Sequence, residues 1–261
     1  MDLQDKVIVI TGAASGIGRE MARRFKIEGA RQLIIADLNE EGLHAVAKET
    51  GAHPVVTNVA LEKDVIKLIT SAEGKYGQID LLCSNAGIGV GGGPEAANEE
   101  WQRIWEINVM AHVYAARAAL PAMVKRGSGY LLNTASAAGL LTQIGSAPYA
   151  VTKHAAVSFA EWLAITYADR GIKVSCLCPQ AVRTAMTADG PGVAGVDGMM
   201  EADVVAAEVL KAIEEEKFLV TPHIEVLEYV KRKGNDRDRW ISGMQRLQKQ
   251  YEDWLTPMDK K

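Results

Sequence analysis

Short runs of β-branched and aliphatic residues alternate with longer amphipathic stretches through the first two-thirds of the chain. Residues 6–11, 32–36, 53–57, 81–84, 130–134, 173–178 and 218–220 read as strands. Most are continuously apolar rather than alternating, the pattern of parallel strands covered on both faces. Residues 16–28, 40–49, 61–76, 101–125 and 149–169 read as the helices between them. This alternation predicts right-handed βαβ crossovers and a doubly wound α/β fold of about seven parallel strands with helices on both faces.

The rhythm changes after Cys178. Residues 179–200 contain Gly190, Pro191, Gly192, Gly195 and Gly198, and read as a long mobile loop with short helical pieces. Structureless loops beyond about 12–15 residues are usually functional, and this one follows a strand's carboxyl end, so a lid is expected. A helical tail is expected over 224–255. In it Trp240, Met244, Leu247, Tyr251 and Trp254 recur at spacings of four and three and form one apolar stripe. The stripe packs either on its own subunit or on a neighbour.

At 261 residues the chain suits one domain, 1–261, rather than two. Its net charge of -4 gives no global attraction to nucleic acid or anionic membrane. The basic cluster Lys231, Arg232, Lys233 reads as a solvated face. The polar start leads into Val7–Ile8–Val9–Ile10, too short for a signal peptide or a membrane span, so a cytoplasmic protein is expected. Cys83, Cys176 and Cys178 each lie in apolar runs. They read as buried thiols in a reducing compartment, with Cys176 and Cys178 on one strand face and no metal site expected.

The first strand ends in Thr11-Gly12-Ala13-Ala14-Ser15-Gly16-Ile17-Gly18 and a helix follows. Gly12 permits a sharp turn, Gly16 lets the backbone approach a pyrophosphate, and Gly18 lets the helix pack closely on the sheet. The helix amino end then faces the phosphates, as in Rossmann-type dinucleotide sites. Asp37 follows the second strand, 19 residues after Gly18. Its carboxylate either accepts from the adenosine ribose hydroxyls and repels a 2′-phosphate, or caps the helix beginning at Glu40-Glu41. Neither Ser15 nor Leu38 offers the cation that NADP recruits, and Arg19 should point along the first helix, so NAD is expected.

Tyr149 and Lys153 stand four apart on a predicted helix and share a face. A free phenol, with a pKa of about 10, is a poor base at neutral pH, and a neighbouring ammonium favours the phenolate. Such pairs also arise by chance. Ser136 stands thirteen residues before Tyr149, where its hydroxyl can hold a substrate oxygen as charge develops, or act only as a loop or cap residue. Asn108 is a polar amide among Ile107, Val109 and Met110, either functional or buried and locally satisfied.

With these residues the sequence resembles a compact, single-domain short-chain dehydrogenase/reductase from Lys6 to Val220. The glycine loop matches at Thr11–Gly18, and Asp80 matches the acid before the central strand. Asn85-Ala86-Gly87 resembles the family's turn, and Asn108, Ser136, Tyr149 and Lys153 match its tetrad in order and separation. The resemblance implies that Tyr149 is the general acid/base and that Lys153 lowers its pKa while holding the nicotinamide ribose. Ser136 orients the reacting oxygen and Asn108 positions a relay water. Asn58-Val59 looks like the adenine contact, with Asn where Asp is commoner. Pro179, Val182 and Thr184 resemble the stretch touching the nicotinamide amide. Ser84 and Gln180 depart from the pattern, and the larger Gln180 is expected to reshape the nicotinamide mouth.

The implied activity is hydride transfer between NAD and the carbon of an apolar secondary alcohol or ketone, in a dimer or tetramer. Ala137, Ala138, Leu140, Leu141 and Ile144, with Met186, Met199 and Met200 of the lid, suggest an apolar pocket. No Arg or Lys is obviously placed for an anionic substrate. An NADP-dependent carbonyl reductase differs only in cofactor, and a non-catalytic NAD sensor leaves the tetrad unexplained.

Overall fold

The computed structural model describes residues 1–251. Seven strands form one parallel sheet: β1 (Val7–Thr11), β2 (Gln32–Asp37), β3 (His53–Val56), β4 (Leu81–Ser84), β5 (Gly129–Thr134), β6 (Ile172–Leu177) and β9 (Leu219–Val220). Their spatial order is β3-β2-β1-β4-β5-β6-β9. β1 therefore has β2 on one side and β4 on the other, so the winding reverses there. A crevice opens at the carboxyl ends of β1 and β4, where open α/β sheets bind ligands.

Both faces of the sheet are covered, which is why its strands read as unbroken apolar runs. Ile8 and Ile10 pack with Met21 and Phe25 of α1 (Gly16–Ile27), Leu43 of α2 (Glu40–Thr50) and Val205 and Val209 of α8 (Ala202–Glu214). Val7 and Val9 face the other way. They join Leu68 of α3 (Glu62–Tyr76), Ala115 and Ala119 of α5 (Ala111–Arg126), and Ala156 and Ala160 of α7 (Ala147–Tyr167). These four aliphatic side chains of β1 are fully buried, each stabilising by about 1.5–3 kcal/mol relative to exposure. Asp80 ties the central strands together: its Oδ2 accepts from the Val7 amide at 2.8 Å and its own amide donates to the Val7 carbonyl at 2.8 Å.

The stretch expected as one helix over 101–125 is two. α4 (Asn98–Trp105) and α5 are joined by a π turn, Glu106–Met110, with Asn108 inside it. A π turn adds a residue within a helix and re-aims its side chains, so hydrophobic periodicity alone does not reveal it.

The three thiols are buried. Cys176 and Cys178 lie on the same face with their sulfurs 3.7 Å apart, and burial pushes the Cys83 thiol up. In residues 179–200, β7 (Val182–Arg183) pairs in parallel with β8 (Met200–Glu201), and two 3₁₀ turns lie between them. The tail forms α9 (Glu225–Asn235) and α10 (Arg237–Gln250). These dock on the short α6 (Ala138–Leu141) through Ala137, Leu141, Val226, Tyr229 and Trp240. Of the stripe, Trp240 packs within its own subunit, Met244 and Leu247 face a cavity, and Trp254 lies outside the described residues.

Candidate active site

Thr11 ends β1, and the chain turns through Gly12 (φ 67°) and Gly16 (φ 54°), left-handed conformations that glycine adopts at little cost. A Cβ on Gly12 would sit 2.7 Å from the Ala86 backbone, and one on Gly18 would sit 2.2 Å from the Gly12 carbonyl oxygen. The loop is therefore held against both β4's exit and α1. Ser15 is the N-cap of α1 but makes no side-chain cap bond, so its hydroxyl and the first amides of the helix, Gly16 and Ile17 among them, face the crevice without intrahelical partners. An anion such as a pyrophosphate fits this cradle.

Asp37 sits at the end of β2. Its Oδ2 accepts from the Ala14 amide and its Oδ1 from the Asn39 amide, both at 3.0 Å, which joins the glycine loop to the second strand. The capping alternative is excluded, because Asn39 caps α2 by accepting from the Gly42 amide. A carboxylate retains lone pairs for ribose hydroxyls after two such bonds. Arg19 lies away from this edge: its guanidinium pairs with Glu49 at 2.8 Å. Beyond β3, Asn58 closes a tight turn by accepting from the Ala60 amide, and Val59 is buried beside it.

Asn85 stitches three strand ends. Its Nδ2 donates to the Thr11 and Gly12 carbonyls, its Oδ1 accepts from the Thr134 hydroxyl, and Thr11 Oγ1 accepts from the Asn85 and Ala86 amides. Gly87 follows, with space for a Cβ only 3.3 Å from both Asn108 Oδ1 and Lys153 Nζ. Ser84, in register with Asn133, is buried at the end of β4.

The four tetrad positions converge at the carboxyl end of β5. Ser136 follows that strand, 8% exposed, and its Oγ accepts from the Ala138 amide and donates to the Pro179 carbonyl. Pro148 near the start of α7 presets its first turn and places Tyr149 at the crevice edge. Lys153 lies one turn on. Its Nζ donates to the Thr134 carbonyl at 3.1 Å and stands 5.6 Å from the Tyr149 ring centre. Asn108 is fully buried and also touches α7, donating to Thr152 Oγ1 at 3.4 Å.

The electrostatics differ from the sequence expectation. Burial pushes the Tyr149 phenol up, and its hydrogen bond with Ser136 is what opposes the rise. Burial pushes the Lys153 ammonium down to about 8. Desolvation disfavours both charged forms and is the largest influence on each.

Residues 179–200 close over the crevice. Thr184 stands above Gly16, with its methyl 3.0 Å from where a Cβ there would lie, while Val182 is buried. The Pro179 carbonyl accepts from the Ala137 amide. Gln180 reaches across its own segment: its Nε2 donates to Asp197, which also accepts from the Tyr229 hydroxyl. A cavity of about 770 Å³ opens from Ser136 between these segments. Ala137, Ala138 and Leu141 line it as expected. Leu140, Ile144 and the three lid methionines do not; Val193, Ala194, Val196, Trp240, Met244 and Leu247 take their places. Alternating apolar spacing identified α10, but its docking on α6 is a long-range contact that no local pattern reveals.

The short chain dehydrogenase family matches residues 6–191 of the sequence. This chain belongs to that family. The short-chain dehydrogenase is 37% identical to the 1-deoxy-11-beta-hydroxypentalenate dehydrogenase of Streptomyces exfoliatus, over 84% of this chain and 83% of that protein. It is 32% identical to a mitochondrial borneol dehydrogenase of Lavandula x intermedia, over 79% and 80% of the two chains. Among solved structures it superimposes on a short chain dehydrogenase/reductase from Burkholderia phymatum in complex with NAD. That match has a TM-score of 0.83 and 29% identity, and covers 91% of this chain and 96% of the other. The short-chain dehydrogenase is an oxidoreductase of alcohols and ketones with a nicotinamide cofactor. No helix among its described residues is long and apolar enough to cross a membrane.

Proposed function

We propose that the enzyme is an NAD-dependent dehydrogenase of hydrophobic secondary alcohols, working also as a ketone reductase. The observation that carries the reading is the meeting of Ser136, Tyr149 and Lys153 at the end of β5, beside the glycine crevice, with Ser136 opening onto a largely apolar cavity. The bound nicotinamide supplies the hydride acceptor or donor.

The protein's own residues do the rest. Gly12, Ser15, Gly16, Ile17 and Gly18 hold the pyrophosphate, Asp37 the adenosine ribose, and Asn58 and Val59 border the adenine. Asn85, Ala86 and Gly87 form the floor beneath the nicotinamide half, and Pro179, Val182 and Thr184 its outer wall. Ser136 holds the substrate oxygen, Tyr149 takes or returns its proton, and Lys153 holds a ribose and passes the proton on. Asn108 serves by fixing Ile88, and a relay water meets it through its main chain, since its side chain is already engaged. NAD is preferred because Asp37 stands where a 2′-phosphate must lie, exposed Leu38 adds no cation there, and Arg19 is held by Glu49.

Residues 179–200 act as the substrate lid, and α9 and α10 complete the cavity wall. Trp162 and Ile165 leave an apolar strip on α7, 53% and 81% exposed, which fits a homodimer or homotetramer. The buried thiols fit a cytoplasmic setting.

A screen of cyclic and linear secondary alcohols with NAD and with NADP, followed by cofactor absorbance, tests the reading. Tyr149→Phe is expected to bind NAD with undiminished affinity and to lose turnover by at least about a thousandfold. An active Tyr149→Phe enzyme defeats the assignment.

A further inference from the structure

The cavity above Ser136 is apolar within and cationic at its mouth. Met244 and Leu247 of α10 face its interior, opposite Leu141. Arg239 and Arg246 stand one residue before Trp240 and Leu247, so they form a second stripe along the edge of the apolar one, and Arg232 of α9 joins them at the rim. Among the described residues one carboxylate lines the cavity, Asp236, and its Oδ1 is occupied as the N-cap of α10 by the Arg239 amide. Asp197, nearby, is held by Gln180 and Tyr229.

Six arginines elsewhere are matched by a carboxylate, whereas Arg31 and Arg126 donate to main-chain carbonyls and Arg170 and Arg237 have no ion pair among the described residues. Arg19, Arg23, Arg24, Arg103, Arg117 and Arg183 each hold a glutamate. Arg232, Arg239 and Arg246 have no ion pair among the described residues. Across residues 225–250, seven Lys and Arg face four Asp and Glu, the reverse of the balance in a chain of net charge -4. Three guanidinium forks around an apolar shaft are built to take a carboxylate whose hydrocarbon body reaches inward. The sequence expectation of a pocket without a cation for an anionic substrate is therefore corrected, because the arginines come from helices that only the fold brings to the site.

We infer that the substrate is an amphiphile: a hydrocarbon bearing the reacting secondary alcohol or ketone at one end and a carboxylate at the other. The inference rests on the dehydrogenase reading, and its test separates the two. Binding to the NAD-loaded enzyme is measured by calorimetry for octanoate, decanoate and dodecanoate and for the corresponding uncharged amides. The carboxylate is expected to bind at least about tenfold tighter than its amide at the best length. R232Q/R239Q/R246Q is expected to erase that margin and R232K/R239K/R246K to keep most of it, with circular dichroism checking that both fold.

Equal affinities for acid and amide at every length overturn the inference, as does a margin that survives the triple Gln substitution. Turnover is read separately, as kcat/KM for (ω−1)-hydroxy fatty acids relative to 2-alkanols of equal length. A ratio above about ten that collapses through KM in the triple Gln variant is the expected result. Selective carboxylate binding without NAD-linked oxidation of any alcohol counts against the dehydrogenase reading instead.

Discussion

Asn108 holds Ile88 by both polar groups of its backbone: Oδ1 accepts from the Ile88 amide and Nδ2 donates to the Ile88 carbonyl, each at 2.9 Å. Ile88 follows the Gly87 turn, so the π turn of one helix fixes the loop that leaves β4. Gly87 in turn packs against Lys153, and Asn108 thereby acts on the site through the loop it restrains.

Asn108→Leu therefore leaves two buried peptide groups without partners, at about 1–3 kcal/mol each. The expected result is a fall in unfolding free energy of that order, with kcat reduced by about a hundredfold or more. Urea denaturation and steady-state kinetics on the same preparation check it. A variant with wild-type kcat shows that the loop needs no such restraint.

Tyr149 and Lys153 stand one helical turn apart, with Nζ 5.6 Å from the ring centre. Lys153 is pushed down to about 8 and Tyr149 up, so loss of the pair's first proton falls in the alkaline range. Alcohol oxidation needs the proton-poor form, and kcat/KM is expected to rise with pH through about 8. In Lys153→Ala the phenol has lost its cation, so the limb should move upward while the rate falls by at least about a hundredfold. An unmoved limb in that variant means that another group sets it.

His112 of α5 is 2% exposed, and its basicity falls to about 3, first through burial and then through the nearby Lys153 cation, with Asn133 opposing. The unfolded chain binds a proton near pH 6.5 and the native one does not. Stability is thus complete above about 6.5 and is lost as pH falls from there toward 3, at up to about 1.4 kcal/mol per pH unit. Replacing it in His112→Leu should flatten the acid limb of the stability curve by that slope. Parallel limbs in wild type and variant, from urea melts across that window, count against it.

Gly139 of α6 lies against the backbone of α7: a Cβ there would be 2.4 Å from the Lys153 carbonyl oxygen. The two nearest atoms are main chain, so Gly139→Ala must push α6 away and carry Ser136 with it. A loss of about 1–3 kcal/mol in stability is expected, with a larger proportional loss in kcat than in NAD affinity. Fluorescence titration of the cofactor alongside kinetics distinguishes this from general unfolding.

The sheet was legible because its signals are local. Val7 to Ile10 are buried whichever face they occupy, and within one βα turn Gly12 and Gly16 are required by their positive φ and Gly18 by its approach to the Gly12 carbonyl. Tyr149 and Lys153 share a helix face by spacing alone. The π turn around Asn108 was not legible, since one added residue changes the helix register without changing its composition. Nor was the balance of burial and charge at Tyr149, which depends on what surrounds the pair. The cavity wall was hidden for a third reason. Trp240 and Met244 announce an amphipathic helix, but where it docks is decided by α6, a hundred residues earlier in the chain.

The family match ends at residue 191, whereas the wall formed by α9 and α10 begins at Glu225. The cavity above Ser136 thus draws one wall from the stretch that the family match covers and the other from beyond it. Drift in the later stretch can retune which molecule is admitted while the hydride-handling apparatus stays untouched, so a lineage can acquire new metabolic roles without reinventing its catalysis.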